Sequence, residues 1–247
     1  MIDPAFLRRA EDLQRRSSEQ HCVTHTGFLT PAEQHVLETR PYLRPSLFLH
    51  GGGEDAERRV AFFLPDYLAP EDFDPGEHLT AFRIRCRFSA PGHRDVLGSL
   101  LGLGIERWTL GDIYAEGEAA WFYCLPTVAE HIKRELTHIG RASVQVAEIL
   151  LSEVPAPKRE REEQSFTVSS LRLDAVIAGT WNLSRADAVE RIEGGLVSLN
   201  YAPCLKPAAE LEPGDIFSLR GSGKAALAEI GGKSRKDRTR VRVDIYR

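Results

Sequence analysis

Apolar positions along the chain change their spacing several times, and each change marks an element. From Ile2 to about Arg16, Phe6, Leu7, Ala10 and Leu13 share one side of a helix whose other side is charged. Thr30-Pro31-Ala32-Glu33 opens a second helix with Thr30 as cap and Pro31 at the first helical position, and Pro41 ends it. Ser46 to Leu49 and Val60 to Leu64 read as strands around Gly51-Gly52-Gly53. That triplet reads as a turn, because no Gly-Lys-Ser/Thr follows to make a phosphate cradle. From Leu79 to Phe88 the pattern alternates, giving a half-buried strand with Arg83, Arg85 and Arg87 on one side. A helix over Val96 to Leu103 follows, capped near Asp95, then strands at Asp112 to Ala115 and Ala120 to Leu125. A capping box at Thr127 to Glu130 starts a helix that Gly140 stops, and Ser143 to Leu151 is a last strand. The order strand, helix, strand, strand, helix, strand predicts a ferredoxin-like (RNA-recognition-like) sandwich.

The period then disappears. Pro155-Ala156-Pro157 and the mixed charges of Lys158 to Glu163 read as a linker. Beyond it, Leu173, Val176 and Ile177 make one side of a short helix with Ser169 or Ser170 as a possible cap. Ser184 caps a second helix with Ala188, Val189 and Ile192 as its buried stripe, and Gly194-Gly195 stop it. Leu196 to Leu199 and Ile216 to Leu219 are strands, with turns at Asn200-Tyr201 and Pro213-Gly214-Asp215. The expected organisation is therefore α+β: an N-terminal α/β domain over 1–74, the ferredoxin-like middle domain over 75–152, a charged linker over 153–166, and a small C-terminal module over 167–247.

Charge changes this picture. The chain carries a formal net charge of −4, but from Arg220 to the end nine Lys/Arg face three Asp/Glu, so this tail is near +6 and the remainder near −10. An acidic total thus conceals a cationic surface suited to phosphates. The four cysteines lie far apart with no C-x-x-C, which fits reduced thiols and gives neither a disulfide framework nor a zinc site. The histidines form no metal-binding motif, so no metal and no cofactor is expected. No run approaches the ~20 apolar residues of a membrane helix, and the expectation is a soluble, cytoplasmic protein.

Two sets of motifs resemble known families. Arg172-Leu173-Asp174, Ser184-Arg185, Gly195-Leu196-Val197 and Leu211-Glu212-Pro213-Gly214-Asp215 resemble the RNA-binding module named after ribosomal protein S-four, with Asn200-Tyr201-Ala202 where many such modules have Asn-Gly. In that family two helices present basic ends to folded RNA. On the residues alone, Arg172 and Arg185 at adjacent helix starts, with Lys206 and Arg220 on nearby loops, are placed to bond phosphate oxygens. His93 to Arg107 with Gly111-Asp112-Ile113, and Phe48-Leu49-His50-Gly51-Gly52 with Glu54 and Ala56-Glu57-Arg58, resemble hallmark stretches of the YlmH family of bacterial RNA-binding proteins. That resemblance spans nearly the whole chain and is weaker before about Ser46. It implies association with the large ribosomal subunit and tRNA in rescue of obstructed nascent-chain complexes.

Enzyme signatures fail on inspection. His93-Arg94-Asp95 has Leu100 where a kinase loop needs a metal-binding Asn, and Gly221-Ser222-Gly223-Lys224 has Ala225 where a phosphate loop needs Ser or Thr. The expectation is a non-catalytic, monomeric RNA-binding protein acting on structured rRNA and tRNA. Its contacts would be Arg172, Ser184, Arg185, Lys206, Arg220, Lys224, Lys233, Arg235, Lys236, Arg238 and Arg240, with Arg83, Arg85 and Arg87 as a second set. Two alternatives differ in class: an RNA-modifying enzyme, pseudouridine-synthase-like, centred on Asp95 or Asp112, or a protein-interaction adaptor acting through the acidic N-terminal domain.

Overall fold

In the computed structural model, residues 4–86, 90–156, 161–234 and 237–246 are described. Arg87, Arg235 and Lys236 lie outside them, as does the centre of the expected linker. The chain divides into two units, 2–157 and 158–247 apart from the first residue, and it is α+β throughout.

The first unit begins with α1 (Pro4–Gln20), β1 (Thr24–Leu29), α2 (Pro31–Glu38), β2 (Leu47–His50) and β3 (Arg59–Phe63). Thr30 caps α2 as the sequence requires, accepting from the Glu33 amide while the Glu33 carboxylate takes the Thr30 N–H. The three strands pair in the order β1-β3-β2. β1 was not anticipated. Its sequence, Thr-His-Thr-Gly-Phe-Leu, breaks alternation at a bulge between His25 and Phe28, where Thr26 Oγ1 replaces a ladder acceptor by taking the Ala61 N–H at 3.0 Å. α1 and α2 cover one face of this sheet, where Ala10, Leu37, Leu43, Ala61 and Phe63 form a core.

The rest of the unit is β4 (Thr80–Cys86), α3 (His93–Gly102), β5 (Leu110–Glu116), β6 (Ala119–Cys124), α4 (Pro126–Glu135), β7 (His138–Ile139) and β8 (Ala142–Ile149). The strand order is β5-β6-β4-β8-β7, antiparallel at every pairing. α4 ends at Glu135, with Leu136 as its C-cap, rather than at Gly140, because His138-Ile139 pairs back onto β8 and Gly140, at φ +58°, makes the hairpin turn between them. Helices α3 and α4 bury Phe82, Ile84, Phe122 and Ile132 on one face.

The opposite face of the five-stranded sheet is covered as well. Ala81 and Tyr123, cross-strand partners, share a core with Phe28, Val60, Phe62 and Phe73, and Trp121, Tyr114 and Ile149 pack against it. The boundary expected at residue 74 therefore runs through a common core, and the unit is layered helix, sheet, sheet, helix. This corrects the outward reading for Arg83. Arg83 sits opposite Trp121 on the covered face, and its buried Nε has no hydrogen-bond partner among the described residues. Arg85, two residues on, is exposed.

The second unit holds β9 (Arg161–Val168), α5 (Leu173–Thr180), α6 (Arg185–Glu193), β10 (Val197–Leu199), β11 (Ala202–Pro203), β12 (Ile216–Leu219), β13 (Gly223–Lys233) and β14 (Thr239–Tyr246). These strands form one sheet in the order β11-β10-β12-β13-β14-β9. Residues 161–166, expected in the linker, belong instead to an edge strand paired with β14 over eight residues. The charges of Arg161, Glu162 and Glu163 hid its pattern. Only Phe166 and Val168 reach the core, and Phe166 does so by lying against Gly179 of α5, where an added Cβ would come within 2.1 Å of its ring. Between β10 and β11, Asn200 and Tyr201 both take positive φ, 47° and 64°, making a tight two-residue turn.

Candidate nucleic-acid interface

The two helix starts of the second unit are joined by one carboxylate. Asp174 lies in the first turn of α5 with its side chain 2% exposed, and it receives Nη2 of Arg172 and Nη2 of Arg185, each at 2.9 Å. Arg172 Nε adds a longer bond at 3.3 Å, and Arg185 Nη1 reaches Ser169 Oγ at 3.4 Å. Burial raises the Asp174 carboxyl, and the hydrogen bonds and charges of the two arginines more than reverse that, leaving it below its ordinary value. The expected pair of free cations is thus corrected to a triad of net charge +1. The two arginine side chains remain 41% and 47% exposed. Ser169 and Ser170 do not cap α5, whose N-cap residue is Arg172 itself, without a side-chain cap bond. Ser184 caps α6 as expected, accepting the Asp187 N–H at 3.0 Å, so its hydroxyl oxygen is already engaged.

The remaining cations fall into two groups. Several are tied to neighbours: Lys224 lies 5.1 Å over the Tyr246 ring, which Arg161 also approaches, Lys233 pairs with Asp237 at 2.7 Å, and Arg238 Nη2 donates to the Thr167 carbonyl. Arg242, absent from the sequence-based set, joins Glu163, Glu229 and Asp244 on the outer face of the sheet. Lys206, Arg220 and Arg240 are exposed and make no side-chain ion pair among the described residues. Arg220 ends β12, its N–H bonded to the Leu196 carbonyl, and Arg240 lies beside Gly231 on the outer side of β13 and β14. The structure brings Arg172 and Arg185 together. Among the described residues, the others lie apart from that pair: Lys206 in the loop after β11, Arg220 at the end of β12, Lys224 and Lys233 on β13, Arg238 before β14 and Arg240 on it.

The carboxylates considered for catalysis hold the first unit together. Asp95 accepts the Gly92 N–H at 3.0 Å at the start of α3, and Asp112 accepts the backbone N–H groups of Glu57 and Arg58. No group of three or more His, Cys, Asp or Glu side chains among the described residues is arranged to hold a metal ion, and no described helix is long and apolar enough to cross a membrane.

Residues 70–153 match the family model described as "Putative RNA-binding domain in YlmH". The chain is 35% identical over 240 residues, 96% of its length and 93% of the other, to a Bacillus subtilis (strain 168) protein named "Ribosome-associated protein quality control protein P2". It also aligns with a solved structure described as "Cell division protein ylmH from Streptococcus pneumoniae", at a TM-score of 0.53 and 24% identity, covering 62% of this chain and 94% of that one. That last likeness speaks for the fold. The chain belongs to the YlmH family.

Proposed function

We propose that this protein is a non-catalytic, ribosome-associated RNA-binding protein of bacterial type, acting in quality control of obstructed nascent-chain complexes. The observation that carries the reading is the identity shared along 96% of the chain with a relative named for ribosome-associated quality control. The match of residues 70–153 to a domain described as RNA-binding supports it. So does the chemistry of the second unit, where the Arg172–Asp174–Arg185 triad fixes two half-exposed guanidiniums in place before any partner arrives. Lys206, Arg220 and Arg240 add cations that need not break an ion pair to meet a phosphate. The finer terms of the proposal are a binding surface of structured rRNA and tRNA on the large subunit, and a monomeric chain when free. The β4-to-β8 connectivity, with β8-β4-β6-β5 as the order of its four longer strands, supports reading the middle segment as ferredoxin-like.

The structural roles of Asp95 and Asp112 favour this reading over an RNA-modifying enzyme. The test is co-sedimentation with purified ribosomal subunits over a salt series. Wild type should be retained with the large subunit, and K206E/R220E/R240E should be released at lower salt. Retention of the triple variant at every salt concentration would overturn the role given to these cations, and failure of wild type to co-sediment would overturn the ribosomal assignment.

A further inference from the structure

The face that an open four-stranded sheet of this topology offers for base stacking is closed here, because β1, β2 and β3 pack on it. The first unit has another concavity, a cleft of about 900 Å³ between α1, β1 and the segment after α3. That size falls within the range of small-ligand pockets. Two-thirds of its lining residues precede residue 70, so it is composite, made by the N-terminal sheet layer together with the segment that matches the RNA-binding family model.

Three features of the cleft point to one chemistry. Trp108, in a short 3₁₀ turn before β5, lines it with 51% of its surface exposed, and the indole N–H donates to Glu106, which fixes the ring. The ring lies over Gly27 at the β1 bulge, where any Cβ would collide with it at 2.5 Å. The backbone bulge and the missing side chain together make the seat for this tryptophan. Around it, Phe6, Leu13, Leu101 and Ile105 supply apolar wall. The third feature is charge. Arg58 and Arg107 also line the cleft, and the hydrogen bonds of their guanidiniums go to carbonyls: Arg58 donates to those of Phe28, Arg107 and Leu110, and Arg107 to those of Leu110 and Gly111, while Asp112 acts on both only through space. Neither forms an ion pair among the described residues. Burial lowers the Arg107 guanidinium to about 10, with Arg58 adding to the effect, and it remains cationic at neutral pH. Of the two carboxylates in the lining, Glu33 is engaged in the α2 capping box and Glu106 by Trp108. Arg9 is a third cation of the lining, giving a net charge of +1.

We infer that this cleft receives an unpaired nucleotide of an RNA, its base stacked on Trp108 and its phosphate directed to the arginines. An aromatic plane held rigid beside partly desolvated cations complements a planar base joined to an anion. The inference rests on the RNA-binding reading above and deepens it by assigning a single-stranded element to the first unit, separate from the cations of the second.

The experiment uses the full chain and a fluorescent unpaired oligoribonucleotide about eight nucleotides long carrying 4-thiouridine. Trp108→Ala should weaken its binding roughly 5- to 100-fold and Trp108→Phe much less, while photo-crosslinks in wild type should map to the peptide containing Trp108. Leu101→Glu, an exposed position on the wall, should weaken binding as well by setting an anion in the cleft, so the test does not depend on how well Trp108→Ala folds. Unchanged affinity in Trp108→Ala and Leu101→Glu overturns the inference. So does a Trp108-dependent complex with an acidic aromatic peptide in place of the oligonucleotide. Ribosome co-sedimentation in parallel separates the two readings. Retained co-sedimentation without oligonucleotide binding sinks the cleft alone, and Trp108-dependent oligonucleotide binding without co-sedimentation sinks the ribosomal reading alone.

Discussion

Arg172 and Arg185, thirteen positions apart on different helices, hold the same buried carboxylate, each through Nη2 at 2.9 Å. α5 and α6 are therefore clasped at their N-terminal ends by charge as well as along their length by packing. Removing the carboxylate leaves two guanidiniums facing one another without an anion. Asp174→Ala should cost about 2–3 kcal/mol in denaturant unfolding of the second unit, less than a wholly buried pair because both arginines are half-exposed.

The same triad sets an acid limit. Asp174 titrates in the folded chain below its ordinary 3.8, so its contribution is complete above that value and is lost as pH falls through the lower folded one. Stability measured between neutral pH and about pH 2 should fall more steeply for wild type than for Asp174→Asn below the ordinary carboxyl value. Parallel curves would show that the triad does not contribute to acid sensitivity.

Gly179 tests how β9 is anchored. In a helix interior Ala is favoured over Gly by about 1 kcal/mol. Here the added methyl meets the Phe166 ring at 2.1 Å. Gly179→Ala should destabilise by about 1–3 kcal/mol despite its better propensity, and Gly179→Ala/Phe166→Leu should recover part of the loss in a double-mutant cycle.

Arg83 gives a prediction of opposite sign. Its buried Nε has no partner among the described residues, and an unsatisfied buried donor costs about 1–3 kcal/mol. Arg83→Met keeps the aliphatic stem and removes the donor, so thermal unfolding should show unchanged or higher stability, with RNA affinity unaltered. A loss of RNA binding in a folded Arg83→Met would return this residue to the interface.

Binding driven by phosphate contacts should be steeply salt-dependent. Each of Lys206→Ala, Arg220→Ala and Arg240→Ala that removes one phosphate contact should reduce the slope of log K against log salt by about 1. Lys233→Ala should reduce it less, since Asp237 already holds that ammonium at 2.7 Å.

In the C-terminal unit α5, α6, β10 and β12 were legible for local reasons, whereas the long hairpin of β13 and β14 was not. Ser184 announces α6 by chemistry that operates within four residues, and Leu173, Val176 and Ile177 repeat at the helical period. What escaped is long-range. Nothing near Asp174 in sequence tells that it takes both arginines, since Arg185 reaches it only once α6 has folded back. β9 escaped because an edge strand with three charged residues at its start carries little periodicity, and β1 because a bulge interrupts its alternation. Arg83 read as outward because alternation reports only that a strand has two faces, and at Arg83 both are covered. The Trp108 cleft had no signal of its own. Its seat is an absent side chain at Gly27, eighty-one positions away.

The stacking of the N-terminal sheet on the middle one sets a limit on dissection. A fragment cut to residues 70–153 would bare Ala81, Trp121, Tyr123 and Ile149 to water, a sticky aromatic strip running across several strands. Such a truncation should precipitate or self-associate however faithfully its own strands form, and the opening seventy residues act as a permanent lining for their neighbour.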